Sequence, residues 1–156
     1  MSIQRVRDHL KAFGAEDRIL EFEVSSATVA LAAEALGCAP ERIAKTLSFK
    51  IGEGCVLIVA AGDARIDNPK FKAFFQTKAK MLTPDEALSL VGHAVGGVCP
   101  FGVNEGVEIY LDESLKRFDY VYPACGSSNS AIKLSLPELE QFSAAKGWID
   151  VCKLPE

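Results

Sequence analysis

Lys45 stands in "RIAKTLSFK", where Ile43, Lys45, Leu47 and Phe49 share one face if the segment is a strand. That face is apolar apart from the lysine, and lysines are almost never fully buried without a partner. Two outcomes are open. Either the stem packs and the ammonium snorkels out to water, or the ammonium enters a cleft and meets a polar or anionic ligand. If Pro40 starts a helical turn that runs through Ile43, the strand begins at Lys45 and places it at the strand's mouth. Lys50 has the opposite, polar phase, ahead of the turn "GEG", and reads as a solvated side chain.

A second chemical stretch is "GGVCPFGV", residues 96–103, which carries no charge. Glycine lets a backbone approach a ligand closely, and proline stiffens its own φ and biases the residue before it toward extended geometry. With Pro100 rigid, Gly102 bare and Phe101 packing or lining a pocket, the loop suits backbone N–H groups aimed at developing negative charge. The same residues also suit a tight turn between a helix and a strand. Cys99 as a nucleophile needs a base or a positive environment to form its thiolate. His93 lies six residues upstream, but no acid–base pairing can be read from sequence, and Cys99 serves equally as a small pocket-lining residue. His93 itself reads as a structural histidine or a substrate contact. A third stretch, "ACGSSNS", offers Ser127, Ser128 and Asn129 as donors and acceptors, or as ordinary turn residues.

The elements that must position these residues follow from pattern. Ile3, Val6, Leu10 and Phe13 recur at helical spacing and Gly14 closes the segment; "ILEFEV" alternates as a strand. Thr28 caps the helix "VALAAEALG", which Gly37 ends. "CVLIVAA" is a continuous apolar run suited to a strand buried on both faces. Asn68-Pro69 opens the helix "KFKAFF", and "TPDEALSLV" carries a capping box, Thr83 to Glu86. "VEIYL" and "FDYVY" read as strands joined by the turn "DESLKR"; "AIKLS" is another strand. Ser135 and Glu138 cap a helix through Phe142, and "WIDVC" is the last strand. Strands and short helices alternate without repeats or a linker. The class is α/β or α+β, with a mixed sheet.

Composition sets the outer bounds. A chain of 156 residues, 49% hydrophobic and 24% charged, makes one globular domain with a proper core. Its longest apolar run, Cys55 to Ala61, is far shorter than the roughly 20 residues of a membrane helix. "MSIQRVRDHL" has no apolar stretch after its basic residues, so no signal peptide is expected and the setting is cytoplasmic. The five cysteines, at 38, 55, 99, 125 and 152, show no Cys-x-x-Cys spacing, which argues against a disulfide framework and a zinc site. The net charge of −4 is wrong for a dedicated duplex-DNA binder. Yet Lys70, Lys72, Lys78 and Lys80 fall close together with no acid among them. They form either a solvated surface or a face for a phosphate backbone.

"LAAEALGCAPERIAKTLSFK", "GGVCPFG" and "GSSNSAIKLS", in that order, resemble the YbaK-like aminoacyl-tRNA deacylases. These are free-standing relatives of the editing domain inserted in bacterial prolyl-tRNA synthetase. The likeness runs from about residue 18 to about residue 150. It implies one α/β (α+β) domain over residues 1–156, a mixed barrel-like sheet packed with short helices. It also implies hydrolysis of the ester between a wrong amino acid and the terminal adenosine of a tRNA, with no metal and no cofactor. By the same resemblance Lys45 and Gly102 take the catalytic positions. Phe22, Thr46, Cys99, Pro100, Phe101, Gly126, Ser127 and Ser128 take the substrate-binding ones. Lys70, Lys72, Lys78 and Lys80 would touch the tRNA. The partners implied are the tRNA acceptor end and prolyl-tRNA synthetase.

Prolyl-editing relatives often carry a histidine in the third loop, and this chain has none between residues 94 and 156. The absence of a Ser-His-Asp or Cys-His set would fit attack by water or by a ribose hydroxyl of the tRNA. A small, partly apolar site would suit alanine on proline's tRNA, with serine, threonine or cysteine as alternatives. A non-catalytic nucleic-acid-binding module and a thiol enzyme built on Cys99 are the rival readings.

Overall fold

The computed structural model describes residues 2–155. Helix α1 (Ser2–Lys11) leads, followed by β1 (Leu20–Glu21), α2 (Val29–Leu36), β2 (Ile43–Ile51), β3 (Gly54–Ala61), β4 (Arg65–Ile66) and α3 (Asn68–Phe75). Then comes α4 (Pro84–Glu86), which runs into a π-helical turn over Ala87–Val91. Strands β5 (Glu108–Asp112), β6 (Tyr120–Pro123), β7 (Ser130–Ala131) and β8 (Leu134–Ser135) precede α5 (Leu136–Ser143). Strands β9 (Trp148–Ile149) and β10 (Cys152–Lys153) close the chain.

The apolar run Cys55–Ala61 makes β3 the buried centre of the fold, with every residue from Cys55 on below a tenth exposed. Around it six strands form one curled, mixed, half-barrel sheet in the order β8-β6-β2-β3-β5-β9. Strands β2 and β3 are an antiparallel hairpin, β6 runs parallel to β2, and β5 runs parallel to β3. Two small antiparallel pairs, β1 with β7 and β4 with β10, fold over its rims. The mixed barrel-like sheet with short helices is the architecture the sequence and its resemblance lead one to expect. Helix α1 buries Val6 and Leu10, four apart on one stripe, while Phe13 lies past the helix end, stacked on Phe142 at 4.6 Å.

Helix ends follow the side chains that satisfy their free N–H groups. Thr28 Oγ1 accepts from Leu31 N, and Gly37 ends α2 in the left-handed conformation. Both capping boxes are closed, Thr83 with Glu86 and Ser135 with Glu138. In α3 the cap is Asp67, one residue ahead of the expected Asn68-Pro69 opening.

Strands are shorter than their apolar patterns. Of "ILEFEV" only Leu20–Glu21 pairs, because β7 offers only two residues opposite. "AIKLS" breaks into β7 and β8, which pair with different partners, β1 and β6. "WIDVC" likewise breaks, β9 joining β5 and β10 joining β4. The stretch "DESLKR" is a 3₁₀ helix capped by Asp112 rather than a simple turn. Lys50 is not merely solvated; its ammonium pairs with Glu86 at 3.3 Å.

Candidate functional site

The short helical turn Pro40–Arg42 ends before Ile43, so Lys45 is the third residue of β2 and not its first. On its outer edge β2 pairs with β6 only at Ile43 and Ala44. Further along, the segment 80–82 takes over, with Lys50 N donating to Lys80 O and Leu82 N to Ser48 O. Between these two stretches, residues 45–47 have no strand beside them on that edge among the described residues. A cleft of about 150 Å³ opens at this gap. Lys45 and Thr46 form its floor with Ile43 and Ala44. The start of α2 with Ser26 and Ala27, then Gly96 and Val98, then Tyr122, Ala124, Ser130 and Ala131, form its walls.

The three chemical stretches meet here because glycine removes the side chains that would hold them apart. A Cβ on Gly97 would fall 2.7 Å from the Gly126 carbonyl carbon and 2.8 Å from Ser127 N. One on Gly96 would be 3.5 Å from Ala27 Cβ and 3.7 Å from Ser128 Cβ. Ser128 O accepts from Ser26 N at 2.6 Å, and Asn129 Nδ2 donates to Phe22 O at 3.0 Å. Ser127 Oγ lies 2.6 Å from Ser130 Oγ, and Ser130 is 1% exposed. Gly96 and Val98 line the cleft, and their N–H groups have no hydrogen-bond acceptor among the described residues.

The ammonium of Lys45 donates to the carbonyls of Gly62 and Ala64 in the turn after β3. Three donors on the ammonium leave one for a ligand. Gly62 comes close to α2 and the Pro40 turn only because it has no side chain; a Cβ there would strike the Pro40 carbonyl and lie 2.8 Å from Val29 Cγ1. Half-burial pulls the Lys45 pKa below its usual value, opposed by Cys152 and Asp63 and reinforced by Arg65. Asp63 is itself gripped by Arg117, through bonds of 2.6 and 3.1 Å. Thr46 lines the cleft, and its hydroxyl is buried without a hydrogen-bond partner.

Cys99 is fully buried, 3.6 Å from His93 Nε2, and burial pushes its thiol up to about 12. His93 Nε2 donates to Phe101 O at 2.7 Å, which keeps the proton on the nitrogen nearest the sulfur. Burial, against that bond, lowers the His93 pKa and holds the ring neutral. This pair therefore cannot form a thiolate–imidazolium couple at neutral pH. Phe101 is fully buried beside the His9 ring, and Pro100 is buried with it. Gly102, at φ 60°, lies against α1, where a Cβ would meet Arg5 O at 2.8 Å.

Of the expected site residues, the structure brings Lys45 and Thr46 to the cleft and sets Ser128 behind Gly96, outside its lining. Phe22 is tied to the 126–130 loop by its backbone. Gly126 and Ser127 contact Gly97 but face a neighbouring depression beside Arg5. Cys99, Pro100, Phe101 and Gly102 support the loop from the core side. Lys70 pairs with Asp150 at 3.0 Å, and Lys72 and Lys78 border a separate depression with Asn68, Pro69 and Ala79. Sequence reasoning missed Ser26, Tyr122 and Ser130. Ser130 had a signal, since it ends the quoted "GSSNS"; Tyr122 had none, because its place beside Ile43 is set by parallel pairing across a distant connection. Among the described residues no cluster of three or more His, Cys, Asp or Glu is placed to hold a metal ion. No helix among them is long and apolar enough to cross a membrane.

The signature of the aminoacyl-tRNA editing domain matches residues 23–142. A relative from Bacillus subtilis (strain 168), called only an uncharacterized protein, YwhH, is 57% identical over 155 residues, 98% of each chain. The proline–tRNA ligase of Geobacillus sp. (strain WCH70) is 31% identical over 102 residues, which is 65% of this chain and 18% of the ligase. This chain thus spans under a fifth of the ligases it matches. A crystal structure of a proposed trans-editing enzyme for prolyl tRNA synthetase superposes with a TM-score of 0.87 at 30% identity, over 97% of both chains.

Proposed function

The chain belongs to the aminoacyl-tRNA editing-domain family, on its YbaK-like branch, and from that premise we propose that it is a deacylase acting on misacylated tRNA. As a single domain over residues 1–156, it would work in the cytoplasm on the acceptor end of the tRNA, alongside prolyl-tRNA synthetase. The observation that carries the reading is Lys45: a half-buried ammonium with one donor free, at the floor of a cleft where three loop segments converge.

In the proposed reaction, water adds to the ester carbonyl of the bound aminoacyl group. Negative charge moves to the carbonyl oxygen, and the ribose oxygen leaves with a proton as the C–O bond breaks. The N–H groups of Gly96 and Val98 are the donors available for that charge. Lys45 holds the terminal adenosine's phosphate or the polar end of the substrate as a compact charge. Thr46 supplies a hydroxyl with no protein partner. No side chain at the cleft is placed as a nucleophile with its base, so the free hydroxyl of the terminal ribose is assigned the task of assisting the water. Gly126, Ser127 and Ser128, with Phe22 tied to their loop, back the Gly96–Val98 segment and Ser130 from behind the wall. Phe101, Pro100, Cys99 and Gly102 hold the Gly96–Val98 backbone in place from below.

A cleft of about 150 Å³ admits a group about the size of benzene. The ammonium, Cα and ester atoms of the aminoacyl group take most of that space, so the reading takes a short side chain, alanine on proline's tRNA first, with serine, threonine and cysteine as competitors. The test is a panel of misacylated tRNAs with release of free amino acid measured, run beside the Lys45→Ala protein. Release above the uncatalysed rate, for one small amino acid and lost in the variant, is expected. No release from any member of the panel removes the reading.

A further inference from the structure

We infer that Arg65 and Lys153 form a seat for the phosphates of the tRNA's single-stranded 3′ end, on the far side of Lys45 from the cleft. The inference rests on the deacylase reading for the identity of the polyanion, and it deepens that reading by fixing the direction from which the strand arrives.

The two cations stand directly opposite each other in the antiparallel pair of β4 and β10. Directly opposed side chains in such a pair have Cβ atoms only about 5 Å apart, and like charges there are destabilising. Neither Arg65 nor Lys153 forms a salt bridge or a side-chain hydrogen bond among the described residues, and both are exposed. The carboxylates that share a depression with them are already engaged: Asp63 in a two-point bond by Arg117, Asp150 with Lys70, Glu113 with Lys116, and Asp112 with the N–H groups of Ser114 and Val151. Arg65 is close enough to Lys45 to disfavour its charge.

These three cations border one open depression of about 570 Å³, which Gly62, Asp63, Ala64, Leu154 and Pro155 also line; its one carboxylate, Asp63, is the one Arg117 holds. Lys45 lines both that depression and the cleft. A strand whose terminal residue sits in the cleft can therefore pass Lys45 and run across Arg65 and Lys153. A run of phosphates is the ligand that relieves the opposed charges. The lysine-rich segment 70–80 is a poorer seat. Lys70 is neutralised by Asp150, and Lys80 lies beside Lys50, five residues along β2 from Lys45, or about 17 Å.

The test uses the whole chain with Arg65→Gln, Lys153→Gln and the double variant, beside a Lys72→Gln/Lys78→Gln/Lys80→Gln protein. Binding of uncharged tRNA is measured across a salt series. Hydrolysis is measured on the tRNA that wild type deacylates best and on the same amino acid esterified to adenosine, which has no phosphate. Each single change should lower the salt slope by about 0.7–0.9 and reduce kcat/KM on tRNA roughly tenfold. The adenosine ester should be hydrolysed at the wild-type rate, and the melting temperature should hold or rise as the like-charge pair is relieved. An unchanged salt slope overturns the seat, and so does an equal loss on both substrates. A loss confined to the triple-lysine protein moves the strand to the other face and also overturns it. Wild type that hydrolyses nothing in the panel sinks the deacylase reading, while the binding series still decides the seat: no tRNA binding, or binding indifferent to both positions, overturns it as well.

Discussion

Lys45 keeps a charge where burial disfavours it, held by the carbonyls of Gly62 and Ala64. Removing a charged contact made to the reacting substrate costs about 2–4 kcal/mol of transition-state stabilisation, or roughly thirty- to a thousandfold in rate. Lys45→Ala is therefore expected to lose that much in kcat/KM with an unchanged circular dichroism spectrum. Lys45→Arg should recover only part of it, since a planar fork does not replace a compact ammonium between two carbonyls. Lys50→Ala removes an ion pair with Glu86 at the other end of the strand and should leave the rate near wild type. Equal rates for the Lys45 and Lys50 variants would take Lys45 out of the site. Cys99→Ala should keep most of the activity, because a fully buried thiol near 12 is protonated at neutral pH; a drop of several orders of magnitude in a folded protein would restore the thiol enzyme. Lys45 was legible in the sequence because a charge in an apolar phase violates a strong rule. Which glycine of "GGVCPFG" faces the cleft was not legible, since Gly96, Gly97 and Gly102 differ only in what packs against them.

At the scale of elements, the turn after β3 couples the sheet to the helix that walls the cleft. Gly62→Ala would drive a methyl into the Pro40 carbonyl and Val29. The turn must then shift, carrying the carbonyl that holds Lys45. Overpacking of this kind costs about 1–3 kcal/mol. The expected outcome is a lower melting temperature together with a fall in kcat/KM that exceeds any loss of tRNA binding. Wild-type activity in a destabilised Gly62→Ala protein would separate the turn from the site. The helices of this region were readable from Thr28, Gly37 and the two capping boxes, because each motif acts within four residues. The strand breaks were not. Whether "AIKLS" or "WIDVC" continues depends on which partner lies beside each residue: β7, β9 and β10 pair with elements far away in the sequence, while β8 folds back on the nearby β6. The gap along β2 that becomes the cleft has the same origin: β6 leaves after Ala44 and the 80–82 segment arrives only near Ser48.

The molecule as a whole should be acid-labile in two steps. His93 is fully buried between α1 and the 93–103 loop, facing Arg5, Cys99 and the Phe101 carbonyl, and burial holds its pKa below the ordinary 6.5. Glu138, which receives hydrogen bonds from Arg18 and closes the α5 capping box, is lowered from 4.5 to about 2. Both groups bind a proton more weakly in the folded chain than in the unfolded one. Stability is then complete above the unfolded values and is lost as pH falls. The first loss begins below about pH 6.5 as the unfolded His93 takes up a proton that the folded ring refuses. The second follows between about 4.5 and about 2 as Glu138 is protonated. The Glu138 step is weakened by solvent screening, because the Arg18 pair is partly in water. His93→Gln keeps an amide N–H able to reach the Phe101 carbonyl and removes the titrating ring. Urea unfolding measured from pH 8 to pH 3 should show a decline that sets in below 6.5 in wild type and a flatter profile there in His93→Gln. Glu138→Gln should instead flatten the profile below 4.5 and leave the upper window alone. Identical slopes in wild type and His93→Gln below pH 6.5 would mean that the folded ring takes up its proton as readily as the unfolded one. The 93–103 loop would then be held by a charged histidine rather than by the neutral one that keeps Cys99 a thiol.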